Sequence, residues 1–286
     1  MRAPRSPGRL AGLVALALLA FAGNSLLARM ALREGGTDPA TFTGLRLAAG
    51  AATLWLLATW RRRPATAAGT GDWTSALALF AYAALFSLAY VRLEAGAGAL
   101  LLFGAVQATM IGRGLAAGER LARWQWLGLA IALAGLAGLL LPGLSAPPVA
   151  PALMMLGAGI AWGVYSLRGR GAMDALGATA GNFARSLPCA LAFVLVQLPG
   201  LRVDTPGLLA ALASGTLASG VGYAIWYAAL PSLRAATAAT LQLCVPLMVA
   251  LAGVAWLGEA ATLRLALAAV GIVGGTYLVI RSKAWN

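Results

Sequence analysis

Apolar runs of about twenty residues, separated by short basic or Gly/Pro-marked breaks, repeat along the whole chain. A membrane-spanning helix needs about 20 mostly apolar residues, so each run predicts one span. Ten spans result, centred near Ala20, Ala51, Tyr82, Val106, Ala132, Gly159, Leu187, Ala218, Val245 and Ile272. The shallowest breaks lie at Arg92 to Gly96 and at Leu230 to Arg234, and bridging either leaves eight or nine spans. Periodicity of 2, the mark of a strand, is not what separates these runs, and the expected class is an all-α integral membrane protein.

Composition sharpens that picture: 61% of the 286 residues are hydrophobic and only 10% are charged, with a mean hydropathy of +0.84. Ordinary globular chains carry about 25% charge. Ten spans also leave no room for a soluble domain. The net charge of +13 would suggest nucleic acid in a soluble protein, but here the basic residues alternate between loops. With the N-terminus in the cytoplasm, Arg2, Arg5, Arg9, Arg61, Arg62, Arg63, Arg113, Arg120, Arg123, Arg168, Arg170, Arg234, Arg281 and Lys283 fall inside. Arg29, Arg33, Arg92, Arg202 and Arg264 fall outside, and Arg46 and Arg185 lie within spans. The positive-inside rule thus puts both termini in the cytoplasm and requires an even number of spans. The opening basic residues and Leu10 to Ala22 also fit a signal peptide, but apolar character resumes past Asn24-Ser25 to Leu32, longer than such a region needs. Cys189 and Cys244 make no disulfide framework or metal motif and read as packing residues in spans.

The pattern of five spans is written twice. At an offset of 140, Gly118-Glu119 matches Gly258-Glu259, Gly23 matches Gly163 and Gly135 matches Gly275, while Arg46 matches Arg185 at 139. An odd number of spans per unit inverts the second relative to the first, the architecture of many secondary transporters. The expected organisation is residues 1–141 as the first unit, an uncharged Pro-rich linker at 142–150, and residues 151–286 as the second.

The chain resembles the drug/metabolite transporter superfamily, in its ten-helix branch of paired EamA-type domains. The resemblance rests on Ala95-x-Ala97-x-Ala99-Leu100-Leu101 leading to Gly118-Glu119, Gly128, Gly135 and Gly138, and on Ala235-x-Thr237-Ala238-Ala239-Thr240-Leu241 leading through Pro246 to Gly258-Glu259, Gly271 and Gly275. Val106 stands in the first half where the second has Pro246. Phe21-Ala22-Gly23-Asn24-Ser25 and Arg46-Leu47-Ala48 are most similar to bacterial amino-acid and metabolite exporters, which implies a site in the bacterial inner membrane and a small-molecule substrate. Drug-like cations are the alternative cargo within the superfamily. A non-transporting scaffold or a lipid flippase is the alternative of another class.

Polar residues within spans are expensive in hydrocarbon and face a bundle interior or a water-filled cavity. Asn24, Arg46, Gln107, Asn182, Arg185 and Gln242 are the candidates. Thr43 with Arg46 and Asn182 with Arg185 share helix faces at i, i+3 spacing. Either arginine suits a substrate carboxylate or a structural partner, and Arg46, nearer its helix end, could also snorkel to the interface. Aromatic residues form a second constellation: Tyr82 and Phe86 with Tyr90 on the third span, Trp162 and Tyr165 on the sixth, and Tyr223, Trp226 and Tyr227 on the eighth. Rings, amides and a cation suit a zwitterion with an apolar or aromatic side chain; packing against lipid is the plainer reading of any one ring. Trp124, Trp126 and Trp285 sit where interfacial rings anchor helices.

The chain has no histidine, and none of its eight carboxylates lies clearly mid-span. That removes Ser-His, Cys-His and His-metal arrangements and argues against an enzyme. It also leaves no obvious proton relay, so facilitated diffusion and coupling through backbone carbonyls both stay open. Glu119 and Glu259 read as junction residues that cap a helix or pair with Arg. No cofactor, metal or nucleic-acid partner is expected; the partners are the substrate and the bilayer, with the chain a monomer or homodimer.

Overall fold

The computed structural model describes residues 7–60, 71–118, 121–141, 143, 146–169, 174–229, 232–233 and 241–283. Glu119, Arg61 to Arg63, most of the Leu230 to Arg234 break, the stretch from Ala235 to Thr240 and Trp285 lie outside them. The described residues are all helical or loop, with no strand. Helices satisfy their backbone groups within the segment except at the two ends, which is what hydrocarbon demands of the part it surrounds. In order they are α1 (Pro7–Leu32), α2 (Pro39–Trp60), α3 (Trp73–Tyr90), α4 (Ala95–Ala116), α5 (Arg123–Leu140), α6 (Val149–Gly169), α7 (Ala175–Val196), α8 (Thr205–Ala229), α9 (Cys244–Leu257) and α10 (Leu263–Lys283). Nine are long and apolar enough to cross a membrane, while α9 has 14 residues.

The helix starts follow from short polar residues. Asp38 accepts from the backbone N–H groups of Ala40 and Thr41, Asp72 from that of Ser75, and Asp204 from that of Gly207, each at 2.9 Å. These carboxylates satisfy donors that the first helical turn leaves orphaned. Gly258 ends α9 at φ 67, a left-handed conformation that costs glycine nothing. It turns the chain so that Glu259 points back into the bundle.

Most of the packing joins the first five helices to the last five. α2 packs on α7, α4 on α9 and α5 on α10; α3 packs on α6 and α7, while α8 packs on α1 and α2; α4 also lies against α6, and α9 against α1. This pattern is unchanged when each of the first five helices is exchanged with the helix five later. At the α5–α10 seam the backbones touch: a Cβ on Gly275 would lie 2.4 Å from the Gly128 carbonyl oxygen, and one on Gly135 would lie 3.0 Å from the Ile272 nitrogen. Small residues permit that approach where lipid supplies no hydrophobic drive. Large side chains such as Leu217, Leu251 and Val270 point outward, where a bilayer would receive them. Cys189 is half-buried on α7, whereas Cys244, at the start of α9, is exposed among the described residues.

Candidate site at mid-depth

The aromatic residues converge from five helices. Trp162 on α6 lies 4.9 Å from Tyr82 on α3, 5.3 Å from Tyr223 on α8 and 5.4 Å from its neighbour Tyr165, measured between ring centroids. Phe86 packs 5.3 Å from Tyr82, Phe183 of α7 stands 6.0 Å from Tyr223, and Phe21 of α1 sits 5.8 Å from both Tyr223 and Trp226. The edge-on pairs of Phe21 and Phe183 and the stacked pair of Trp162 with Tyr165 are among the arrangements that aromatic rings favour at these distances. Tyr82 and Trp162 fall near the middles of their helices, so the cluster sits at mid-depth.

Arg46 lies against this wall. It is 1% exposed, and its guanidinium carbon is 5.1 Å from the ring centroids of both Tyr82 and Phe86. Nη2 donates to the Tyr82 hydroxyl at 3.1 Å and Nε to Ser219 Oγ at 3.4 Å. Asn24 Nδ2 donates to the same Tyr82 oxygen at 3.1 Å, and Ser214 Oγ donates to Asn24 Oδ1 at 2.6 Å. The remaining nitrogen, Nη1, is buried with no hydrogen-bond partner among the described residues. No carboxylate among them pairs with this cation either. Snorkelling, one outcome expected of Arg46, is therefore overturned: the residue is seven positions into α2, about 10 Å from its start at 1.5 Å per residue, and turned inward. A buried, unpaired cation costs several kcal/mol, which two ring faces offset only in part, at about 2 kcal/mol when desolvated.

The local fold explains how Ser219 reaches Arg46 while Ser214 reaches Asn24. Within α8, Ser214–Val221 is wound as a π-helix, a rare form that recurs at functional sites. Ser214 and Ser219 are five residues apart, which in an α-helix sets them about 140° apart. Bonding from i to i+5 brings both to one side. Neither serine, nor Phe21 or Phe183, was among the candidates from sequence, because α-helical spacing separates the two serines and a lone Phe in an apolar span reads as ordinary packing. Gly215 makes the crossing possible: a Cβ there would lie 2.4 Å from the Arg46 carbonyl oxygen.

The other candidates are elsewhere. Arg185, the sequence counterpart of Arg46, is half-buried and Nη1 donates to the Gly181 carbonyl at 3.3 Å. Asn182 accepts from the backbone N–H of Asp72 at 2.9 Å, at the end of the bundle, although its side chain also faces the Tyr165 hydroxyl. Gln107 lines a cavity of about 10 Å³ among α4, α5 and α10, room for about one water. Gln242 is half-buried just before α9, and Trp226 meets the cluster through Phe21.

Polar clasps close both ends of the bundle. At one, the Thr37 hydroxyl donates to Asp204 at 2.7 Å, the Asp38 N–H donates to the Arg202 carbonyl at 3.0 Å, and the Arg202 N–H returns a bond to Asp38 at 2.8 Å. Nearby, Glu259 accepts the Ala95 N–H at 2.7 Å and stands 3.4 Å from Arg29 Nε, doing both things expected of it. Arg29 in turn donates to the carbonyls of Tyr90 and Val91. Burial and the negative charge of Glu259 hold the Glu94 carboxyl above its ordinary value. Asp204 is held below it by hydrogen bonds from Thr37 and Gly207. At the opposite end Arg168 bonds Asp72 at 2.9 Å and Ser75 at 3.1 Å. Asp72 begins α3 as Asp204 begins α8, so each clasp holds the start of one of two exchange-related helices.

Residues 150–281 match the EamA-like transporter family. The chain is 54% identical over 271 residues to an uncharacterized protein of Pseudomonas aeruginosa, covering 95% of this chain and 94% of that one. The chain belongs to the EamA-like transporter family. This EamA-like protein is accordingly a multi-pass membrane transporter of a family that is not one of enzymes. Its fold is shared with a protein of known crystal structure that is 21% identical, with a TM-score of 0.66 over 95% of this chain and 97% of that one.

Proposed function

We propose that this EamA-like protein carries amino acids with hydrophobic or aromatic side chains out across the bacterial inner membrane, by alternating access to the mid-depth ring cluster. The observation that carries the reading is the meeting of Trp162, Tyr82 and Tyr223, from three helices of both halves, beside a buried Arg46. Rings take an apolar side chain, and a cation with hydroxyl and amide neighbours takes its polar end. Two clasps on opposite ends, each at the start of a helix that lines the cluster, suit a carrier that opens one end at a time. The exchange-symmetric packing supports reading residues 1–141 and 151–286 as inverted units joined by 142–150, and the bias of basic residues to one set of loops supports placing both termini in the cytoplasm. A cationic drug is the weaker reading, since Arg46 would repel it.

Uptake of labelled phenylalanine, leucine and glycine into protein-containing liposomes without an ion gradient tests this. Saturable movement of the first two, competed by related amino acids, is the expected result. Movement of a cationic dye alone would reject it. Trp162→Ala should cut phenylalanine transport at least tenfold, with Trp226→Ala and Gln242→Ala losing less because they stand off the cluster.

A further inference from the structure

Resting on the amino-acid reading, we propose that the unpartnered Nη1 of Arg46 is the receptor for the substrate's carboxylate, so that the protein selects a monocarboxylate first and its amino group second. Guanidinium presents a planar fork that matches a carboxylate in two parallel bonds. Here one arm of the fork has no acceptor and the other holds only the neutral Tyr82 hydroxyl, a partner a charged oxygen can displace. The carboxylates paired in the described residues lie at the ends of the bundle and Arg185 on α7 donates to the Gly181 carbonyl, so Arg46 is the cation that faces the ring cluster. A single guanidinium matches one negative charge. The rings of Tyr82, Phe86 and Trp162 flank the position where the rest of such a molecule must lie. For an ammonium the same surroundings offer no counter-charge among the described residues, only ring faces and neutral oxygens, chiefly Asn24 Oδ1, already engaged by Ser214. Binding therefore depends more on the acid group than on the amine.

Three probes of one shape separate these contributions: L-phenylalanine, L-3-phenyllactate, which exchanges the ammonium for a hydroxyl, and L-phenylalaninamide, which loses the acid. Affinities are read from ligand-induced thermal stabilisation of the purified full-length protein, which requires no transport. Phenylalanine and phenyllactate should bind within a few-fold of each other, and the amide at least tenfold more weakly. Arg46→Gln should erase that difference, while Arg46→Lys, which keeps the charge without the fork, should retain it at lower affinity. Equal binding of acid and amide by the unmodified protein overturns the proposal even if Arg46→Gln fails to fold, and so does a tenfold preference that survives in a folded Arg46→Gln. Binding of phenyllactate but not of phenylalanine leaves the Arg46 site standing and rejects the amino-acid reading instead.

Discussion

At the scale of single residues, the weight falls on contacts that sequence alone ranks poorly. Gly215 sits so close to the Arg46 carbonyl that any Cβ must push α2 and α8 apart. Gly215→Ala should therefore cost about 1–3 kcal/mol of stability, the usual penalty of overpacking, measured by thermal or denaturant unfolding in detergent. An equal cost from the same change at Gly274, where a Cβ meets nothing within 4 Å, would show that the crossing is not responsible. The ring residues were legible because large aromatics and polar groups are conspicuous in an apolar span. Which arginine matters was not legible, since Arg46 and Arg185 look alike in sequence and differ only in what neighbouring helices bring to them.

At the scale of elements, the helix starts double as clasps. Asp204 caps α8 and receives the Thr37 hydroxyl with the same oxygen. Asp38 caps α2 and binds Arg202, and although burial pushes its carboxyl upward, the hydrogen bonds from Thr41, Arg202 and Ala40 hold it below the ordinary value. A carboxyl depressed in the folded protein adds stability that is present above its ordinary value, near pH 4, and lost as pH falls through the depressed one. Protection of residues 37–42 against hydrogen exchange, relative to the intrinsic rate at each pH, should accordingly hold at neutral pH and fall only below about pH 4. Thr37→Val should lower it at neutral pH while leaving the opposite clasp at Asp72 unchanged; no change would mean that backbone bonds alone hold that end. The spans themselves were plain in the sequence, since hydrocarbon forces one helix per apolar run. The π winding of Ser214–Val221 was not, because its residues are ordinary helix residues and only the fit between α2 and α8 selects it.

At the scale of the whole molecule, α5 and α10 form a seam set apart from the ring cluster. Gly275→Leu should part their touching backbones and lower the unfolding midpoint, while leaving the affinity of the remaining folded protein for phenylalanine within about twofold; a large affinity loss would tie the seam to the site. Pairing across halves was only faintly legible, because Gly118-Glu119 and Gly258-Glu259 mark the two units but say nothing of which helix meets which. Arg46 gives the assembled bundle one more property. A guanidinium is always protonated, and this one lies inside the bundle, about 10 Å along a helix long enough to cross the layer across which a cell holds its voltage. In the alternating access proposed above, water reaching the cluster from one end would bring that charge toward the potential of that end, and opening of the other end would bring it toward the other. The field does work on such a switch, up to about 2.3 kcal/mol per charge at 100 mV. A carrier working in that way would feel the membrane potential through its own arginine, whatever else it moves, and would rest with one end open more often than the other.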